Sequence, residues 1–162
     1  MRNMRKRWKA YLVLGIILVV VFGTGFVFHR ANRPMNVARK EAVTLAERYG
    51  HLKKVDSFTW FNRDQSYFTV AGDNQKNVPV YVIIAQHGGK IQIVRQSAGL
   101  SRNSALKKIW SQKSPQKVYN IALGIYHKKI AWEISYKAKN GALGYETIDF
   151  KTSKVLKVVE NL

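Results

Sequence analysis

The chain has 162 residues, no cysteine, four tryptophans and a formal net charge of +19. Without cysteine it has no disulfide, no thiolate chemistry and no Cys-ligated metal, so its folded part must hold together by packing. The excess of 28 Lys and Arg over nine Asp and Glu attracts polyanions, and which polyanion depends on the side of a membrane the charge occupies.

Residues 1–10 form a basic tail carrying Arg2, Arg5, Lys6, Arg7 and Lys9. Residues 11–28, YLVLGIILVVVFGTGFVF, then run without a charge. As a helix that run is about 27 Å long, close to the ~30 Å of a bilayer's hydrocarbon core. Trp8 and Tyr11 stand at one end, where aromatic rings favour the membrane interface. The run is longer than the apolar region of a cleaved signal peptide, and no A-x-A-like site follows it. The expectation is an uncleaved transmembrane helix at 11–28. The positive tail places the N-terminus in the cytoplasm and everything beyond a 29–34 linker outside the cell. Of the 28 basic residues, 21 lie from residue 34 onward together with all nine acids, so the outer part is itself strongly basic.

Residues 35–52 predict an amphipathic helix, with Ala38, Ala42, Leu45, Tyr49 and Leu52 on one stripe. Strands are predicted at 58–61, 67–71, 78–86 and 90–95. The breaks between them are Asn62-Arg63-Asp64, Gly72-Asp73-Asn74 and His87-Gly88-Gly89. The order then recurs. Ser101 can cap a second helix bearing Leu106, Ile109 and Trp110, which Pro115 ends. Strands follow at 117–125, 129–137, 143–150 and 154–159. In the second of these, Ile130, Trp132, Ile134 and Tyr136 alternate with Ala131, Glu133 and Ser135, which puts Trp132 in the core and Glu133 in water. Asn140-Gly141 is a strong hairpin signal.

A shift of 64 residues overlays the two halves without a gap from about residue 42 to 95. Leu45 meets Ile109, Phe68 meets Trp132, Val70 meets Ile134, Ile84 meets Ile148 and Val94 meets Val158. The pattern predicts an α+β fold: two tandem units, 35–97 and 98–162, each one helix packed on an antiparallel sheet.

The segments SYFTVAGDN, YVIIAQHGGKI, GLSRNSALKKI, IALGI, AWEISY and GYETIDFKTSKVLKVV, with the N-terminal anchor, resemble the TseB/YpmB-like family of Gram-positive bacteria, whose units are similar to PepSY domains. Trp132-Glu133-Ile134-Ser135-Tyr136 and Ile148-Asp149-Phe150 carry the resemblance best. Ser153 departs from it, standing where a glycine is expected in the last hairpin. The resemblance implies a membrane-anchored, extracytoplasmic regulator of cell-wall elongation whose partner is a penicillin-binding protein that synthesises peptidoglycan. The alternative is a PepSY-like module that inhibits a peptidase or binds anionic wall polymers.

The residues themselves nominate no catalytic, metal-ligating or cofactor-binding site, and the expected function is not enzymatic. No two of His29, His51, His87 and His127 have metal-site spacing. Asp64, Asp73 and Asp149 fall at turns or strand ends, where Asp commonly bonds backbone. Gly88-Gly89-Lys90 lacks the rest of a phosphate loop and reads as a hairpin turn. Lysines from Lys107 to Lys157 are spread along the second half. They suit a solvated surface or attraction to anionic wall polymers and lipid head groups. Nucleic acid is not expected outside the cell.

Overall fold

The computed structural model describes residues 11, 13–22, 24 and 33–161. The basic tail and residues 29–32 of the expected linker, His29 among them, lie outside the described residues, and the last two linker positions, Arg33 and Pro34, open a helix instead. The described positions from 11 to 24 are helical, and among the described residues no helix is long and apolar enough to cross a membrane. Residues 1–38 and 39–162 form separate units.

The fold is α+β with two four-stranded antiparallel sheets. Helix α1 (Arg33–Gly50) leads into β1 (Leu52–Asn62), β2 (Ser66–Asn74), β3 (Pro79–Ala85) and β4 (Ile91–Arg95), which pair in that order. A short 3₁₀ turn (Gln96–Ala98) and helix α2 (Arg102–Lys113) follow. Then come β5 (Lys117–Tyr126), β6 (Lys129–Lys137), β7 (Leu143–Asp149) and β8 (Val155–Val159), again paired in order.

The duplication is visible in the register. Phe68 pairs with Ile84, and 64 residues on Trp132 pairs with Ile148; Val70 pairs with Val82, and Ile134 with Glu146. The first hairpins differ by one residue, because Trp60 pairs with Phe68 while Leu123, not Gly124, pairs with Trp132.

Helix α1 ends earlier than its apolar stripe suggests. His51 takes φ 52°, which turns the chain, and Leu52 is buried as the first residue of β1. The buried positions of α1 are Ala42, Ala46 and Gly50, a row of small residues at i, i+4 and i+8, while Tyr49 is exposed. Gly50 brings the helix against the sheet: a Cβ there would lie 2.5 Å from Val82 Cγ2. Strand β1 is longer than predicted because Lys53, Lys54 and Asp56 mask its pattern, and it carries two register shifts. Gly72, expected in a turn, sits inside β2 where β1 bulges toward it, with Lys54 O 2.0 Å from where its Cβ would be. The turn itself is Gln75–Asn77, tied by Asn74 Oδ1, which accepts from the Lys76 and Val78 N–H groups at 2.9 and 3.0 Å. Ser101 caps α2 as predicted, accepting from Ser104 N–H at 3.1 Å. Ser153, in place of the expected glycine, adopts the left-handed conformation with φ 59°.

The two sheets share one core. Phe61, Tyr67, Tyr81 and Ile83 from the first sheet cluster with Ile121, Leu123, Trp132, Ile134, Tyr136, Ile148 and Phe150 from the second, together with Ala105 and Ile109 of α2. The seam is the outer edge of β5. Thr69 Oγ1 donates to Leu123 O at 2.7 Å, fully buried. Phe61 covers Gly124 on one face of the second sheet, and Tyr81 meets Trp132 edge-on at 5.6 Å on the other. Trp132 is in the core, 2% exposed, and its indole N–H donates to Leu100 O at 2.8 Å.

A Cβ at Gly124 would lie 2.2 Å from the Phe61 ring. Gly124→Ala is therefore expected to destabilise residues 39–162 by about 1–3 kcal/mol, the usual range for overpacking. Urea unfolding followed by tryptophan fluorescence measures this, and an unchanged midpoint would mean that Phe61 is free to move aside.

Candidate functional site

Glu133 is not in water. Its alternation on β6 is correct, but the face it shares with Ala131 is covered by residues of the first sheet. Its carboxylate forms an ion pair with Arg63 Nε from the β1–β2 turn, both side chains being largely buried. Arg63 also donates from Nη2 to Thr147 Oγ1 at 3.1 Å, and its guanidinium lies 5.9 Å from the centre of the Tyr126 ring. Burial pushes the Glu133 carboxyl up, against the pull of Arg63. One turn of the first half is thus locked to the second sheet by charge.

A second charged cluster lies beneath the C-terminal end of α2. Lys113 Nζ contacts Glu160 Oε1 at 2.7 Å, and Tyr136 OH donates to the same oxygen at 3.1 Å. The Tyr136 phenol is pushed up to about 12 by burial, then by its bond to Glu160, and further by the Glu160 and Glu146 charges. Glu160 is held below the usual carboxylate range by Lys113 and Tyr136. Glu146 is 1% exposed, and its Oε1 has no partner among the described residues. Burial raises its carboxyl, Lys113 and Lys108 oppose, and Glu160 raises it further. Gly144 makes room for the Tyr136 ring, whose Cζ would sit 2.6 Å from a Cβ.

A cavity of about 350 Å³ borders Tyr136, Gly144 and Glu160 of the second cluster, and three others lie elsewhere in the domain. One of about 160 Å³ lies in the seam, where Asp56, Thr59, Thr69, Tyr81, Arg102 and Trp132 meet. Cavities of about 500 and 620 Å³ flank β4, the first reached by His51, Lys76 and Arg95, the second by His87 and Lys90.

The histidines and aspartates noted in the sequence are not brought together. His127 and Asp64 approach to 3.9 Å, both exposed. His51 follows α1, and His87 rims a cavity. Asp149 builds a turn: its Oδ1 accepts from the Lys151 and Thr152 N–H groups at 2.8 and 2.7 Å. Burial raises its carboxyl, but the bonds from Thr152 and Lys151, with Lys129 nearby, outweigh it and hold the group below its usual range. Gly88 and Gly89, at φ 81° and 63°, form the expected hairpin turn. Among the described residues no group of three His, Asp or Glu could hold a metal.

This two-sheet domain with one small-residue helix on its first sheet has known counterparts. The Cell wall elongation regulator TseB-like domain matches residues 41–85, from α1 through β3. The chain is 27% identical over 157 residues to the Probable cell wall elongation regulator TseB of Bacillus subtilis (strain 168), covering 95% of this chain and 98% of that one. It is 26% identical to the solved YpmB protein from Bacillus subtilis, with a TM-score of 0.64 over 74% of this chain and 94% of that chain. Along nearly its whole length the chain is similar to the TseB/YpmB-like proteins. The resemblance read from AWEISY and GYETIDF holds, although the family's domain match lies in the other half.

Removing one member of a largely buried ion pair strands its partner. Glu133→Ala is expected to cost about 3–5 kcal/mol, and Arg63→Met with Glu133→Leu should cost less than Glu133→Ala alone. Denaturant midpoints of the parent and the two variants decide it; a Glu133→Ala loss well under about 1 kcal/mol would place the pair in solvent.

Glu146→Gln keeps the shape and removes the charge. The folded-state carboxyl is raised, so its ionised form weakens the fold at pH above the folded value, and the penalty disappears below the unfolded value near 4.5. The variant should therefore melt higher than the parent at pH 7.5 and with the parent at pH 4. A lower melting temperature at pH 7.5 would assign Glu146 a stabilising contact with Lys113 or Lys108.

Proposed function

We propose that this chain is a contact regulator of cell-wall elongation. It is held in the membrane by residues 11–28, with residues 1–10 inside the cell and the two-sheet domain outside. Its partner is a membrane-bound penicillin-binding protein. The observation that carries the reading is the near end-to-end correspondence, 95% of this chain and 98% of the other, with a protein named as a probable cell wall elongation regulator. The uncharged run at 11–28 and the basic tail before it support the topology. An anchor of this kind confines the domain to a layer beside its partner, which raises effective concentration without adding contacts. Regulation by contact asks for position and surface, and the dispersed turn positions of Asp64, His87 and His127 fit that demand better than they fit catalysis.

The test separates the domain from its anchor. With residues 1–30 replaced by a cleaved signal peptide, the folded domain should be released from the cell and most of its effect on cell elongation lost. Alanine at His127, Asp64 or Asp73 should each leave elongation largely intact at normal protein level. Full complementation by the released domain, or loss of function from one of those single changes in a stably folded chain, would overturn the reading; a catalytic residue typically lowers a rate by orders of magnitude while sparing the fold.

A further inference from the structure

The two sheets have four edge strands, β1, β4, β5 and β8. Exposed strand edges invite pairing with other chains, and bulges are a common way of blunting them. β1, β5 and the β7–β8 pair each contain a register shift, and β5 is further closed by Thr69. β4 alone runs in unbroken register, from Ile84 opposite Ile91 to Val80 opposite Arg95.

The free groups of β4 can be assigned. Ala85 N–H donates to Lys90 O at 2.9 Å. Antiparallel pairing alternates, so Lys90, Gln92 and Val94 bond toward β3, and the N–H and C=O of Ile91 and Ile93, with the N–H of Arg95, point outward. Among the described residues no backbone group pairs with that side. Gln92, Ile93 and Arg95 are exposed, Ile93 by 46%.

The cavities of about 500 and 620 Å³ lie on opposite faces of this strand. One, on the α1 face, is floored by Val78, Val80 and Ile93 and carries His51, Lys76 and Arg95. The other, facing the second sheet, is floored by Tyr67, Ala85 and Ile125 and carries His87 and Lys90. Neither is lined by a carboxylate. An added strand sends alternate side chains to opposite faces, which is the arrangement these cavities would receive.

We propose that the outer edge of β4 accepts an extended acidic and aliphatic segment of the partner protein as a fifth strand, its alternate side chains entering the two flanking cavities. This rests on the contact reading above and names its surface. A second copy of this chain is disfavoured as the occupant, because a chain of net charge +19 repels itself while Lys76, Lys90 and Arg95 attract acid.

The experiment uses the full chain in neutral detergent and blocked hexapeptides of alternating glutamate and valine. Binding should slow amide exchange at Ile91, Ile93 and Arg95 by about tenfold or more, with little change at Gln92 and Val94, already bonded to β3. A peptide N-methylated at alternate residues, on the side facing β4, should not bind, and a lysine–valine peptide should bind at least tenfold more weakly. Ile93→Pro removes one outward N–H at an edge position and should weaken binding by about tenfold. Should that variant fold poorly, Lys90→Glu with Arg95→Glu should reverse the charge preference instead. Protection elsewhere, equal binding of the N-methylated or lysine–valine peptide, or protection of the same amides by self-association without peptide would each overturn the proposal. None of these outcomes bears on the release experiment, which judges the contact reading separately.

Discussion

The outer edge of β5 has no strand to pair with, yet it is buried. A buried carbonyl left without a donor costs about 1–3 kcal/mol, and the Thr69 hydroxyl supplies that donor at Leu123 O. Once this edge is set on the inner face of the first sheet, the rest of the seam follows. Phe61 reaches Gly124 on one side, Tyr81 reaches Trp132 and Phe150 on the other, and Arg63 is carried to Glu133 and Thr147. The tandem sheets therefore form one hydrophobic core rather than two, which suits halves that are each small for independent stability.

The seam also decides where charge can be buried. Glu133 is buried with a partner that arrives from the other half of the chain. Glu146 is buried at the position equivalent to Val82 of the first sheet, under a helix end that brings Lys113 and Lys108 close without bonding its Oε1. In the first half the same position meets Gly50 at van der Waals limits and stays apolar. One duplicated framework thus carries a tightly packed helix on one sheet and a titratable pocket beneath the other.

Local pattern made much of this legible. Strand β6 is found at residues 129–137, where strict alternation places it, and the Ser101 cap and Gly88-Gly89 turn are where their residue types put them. The shift of 64 residues matches the pairings Phe68–Ile84 and Trp132–Ile148, and fails by one residue in the first hairpins. What stayed hidden depends on long-range partners. Glu133 alternates as a solvent residue should, and only the β1–β2 turn, 70 residues earlier in the chain, covers it. Strand β1 is written in Lys53, Lys54 and Asp56 because an edge strand with bulges need not alternate. Leu52 continues a helical stripe in the sequence, but the left-handed His51 hands it to the sheet. The cavities beside β4 have no sequence signal, since His51, Lys76 and Arg95 meet only after the sheet has formed.

Tandem copies of one motif share a hazard: a strand of one copy can take its counterpart's place, and such misassembly is a characteristic failure of repeat proteins. The one-residue offset between the Trp60–Phe68 and Leu123–Trp132 pairings works against that exchange. A β1 set by the 64-residue shift, with Trp60 in the place of Gly124, would pair Trp60 with Ala131 and turn each of its side chains to the wrong face. Glu146, set in place of Val82 beneath α1, would bring a carboxylate to Gly50 without a lysine nearby. These small divergences act as an address for each half, so the chain can reuse one architecture twice and still assemble in a single order.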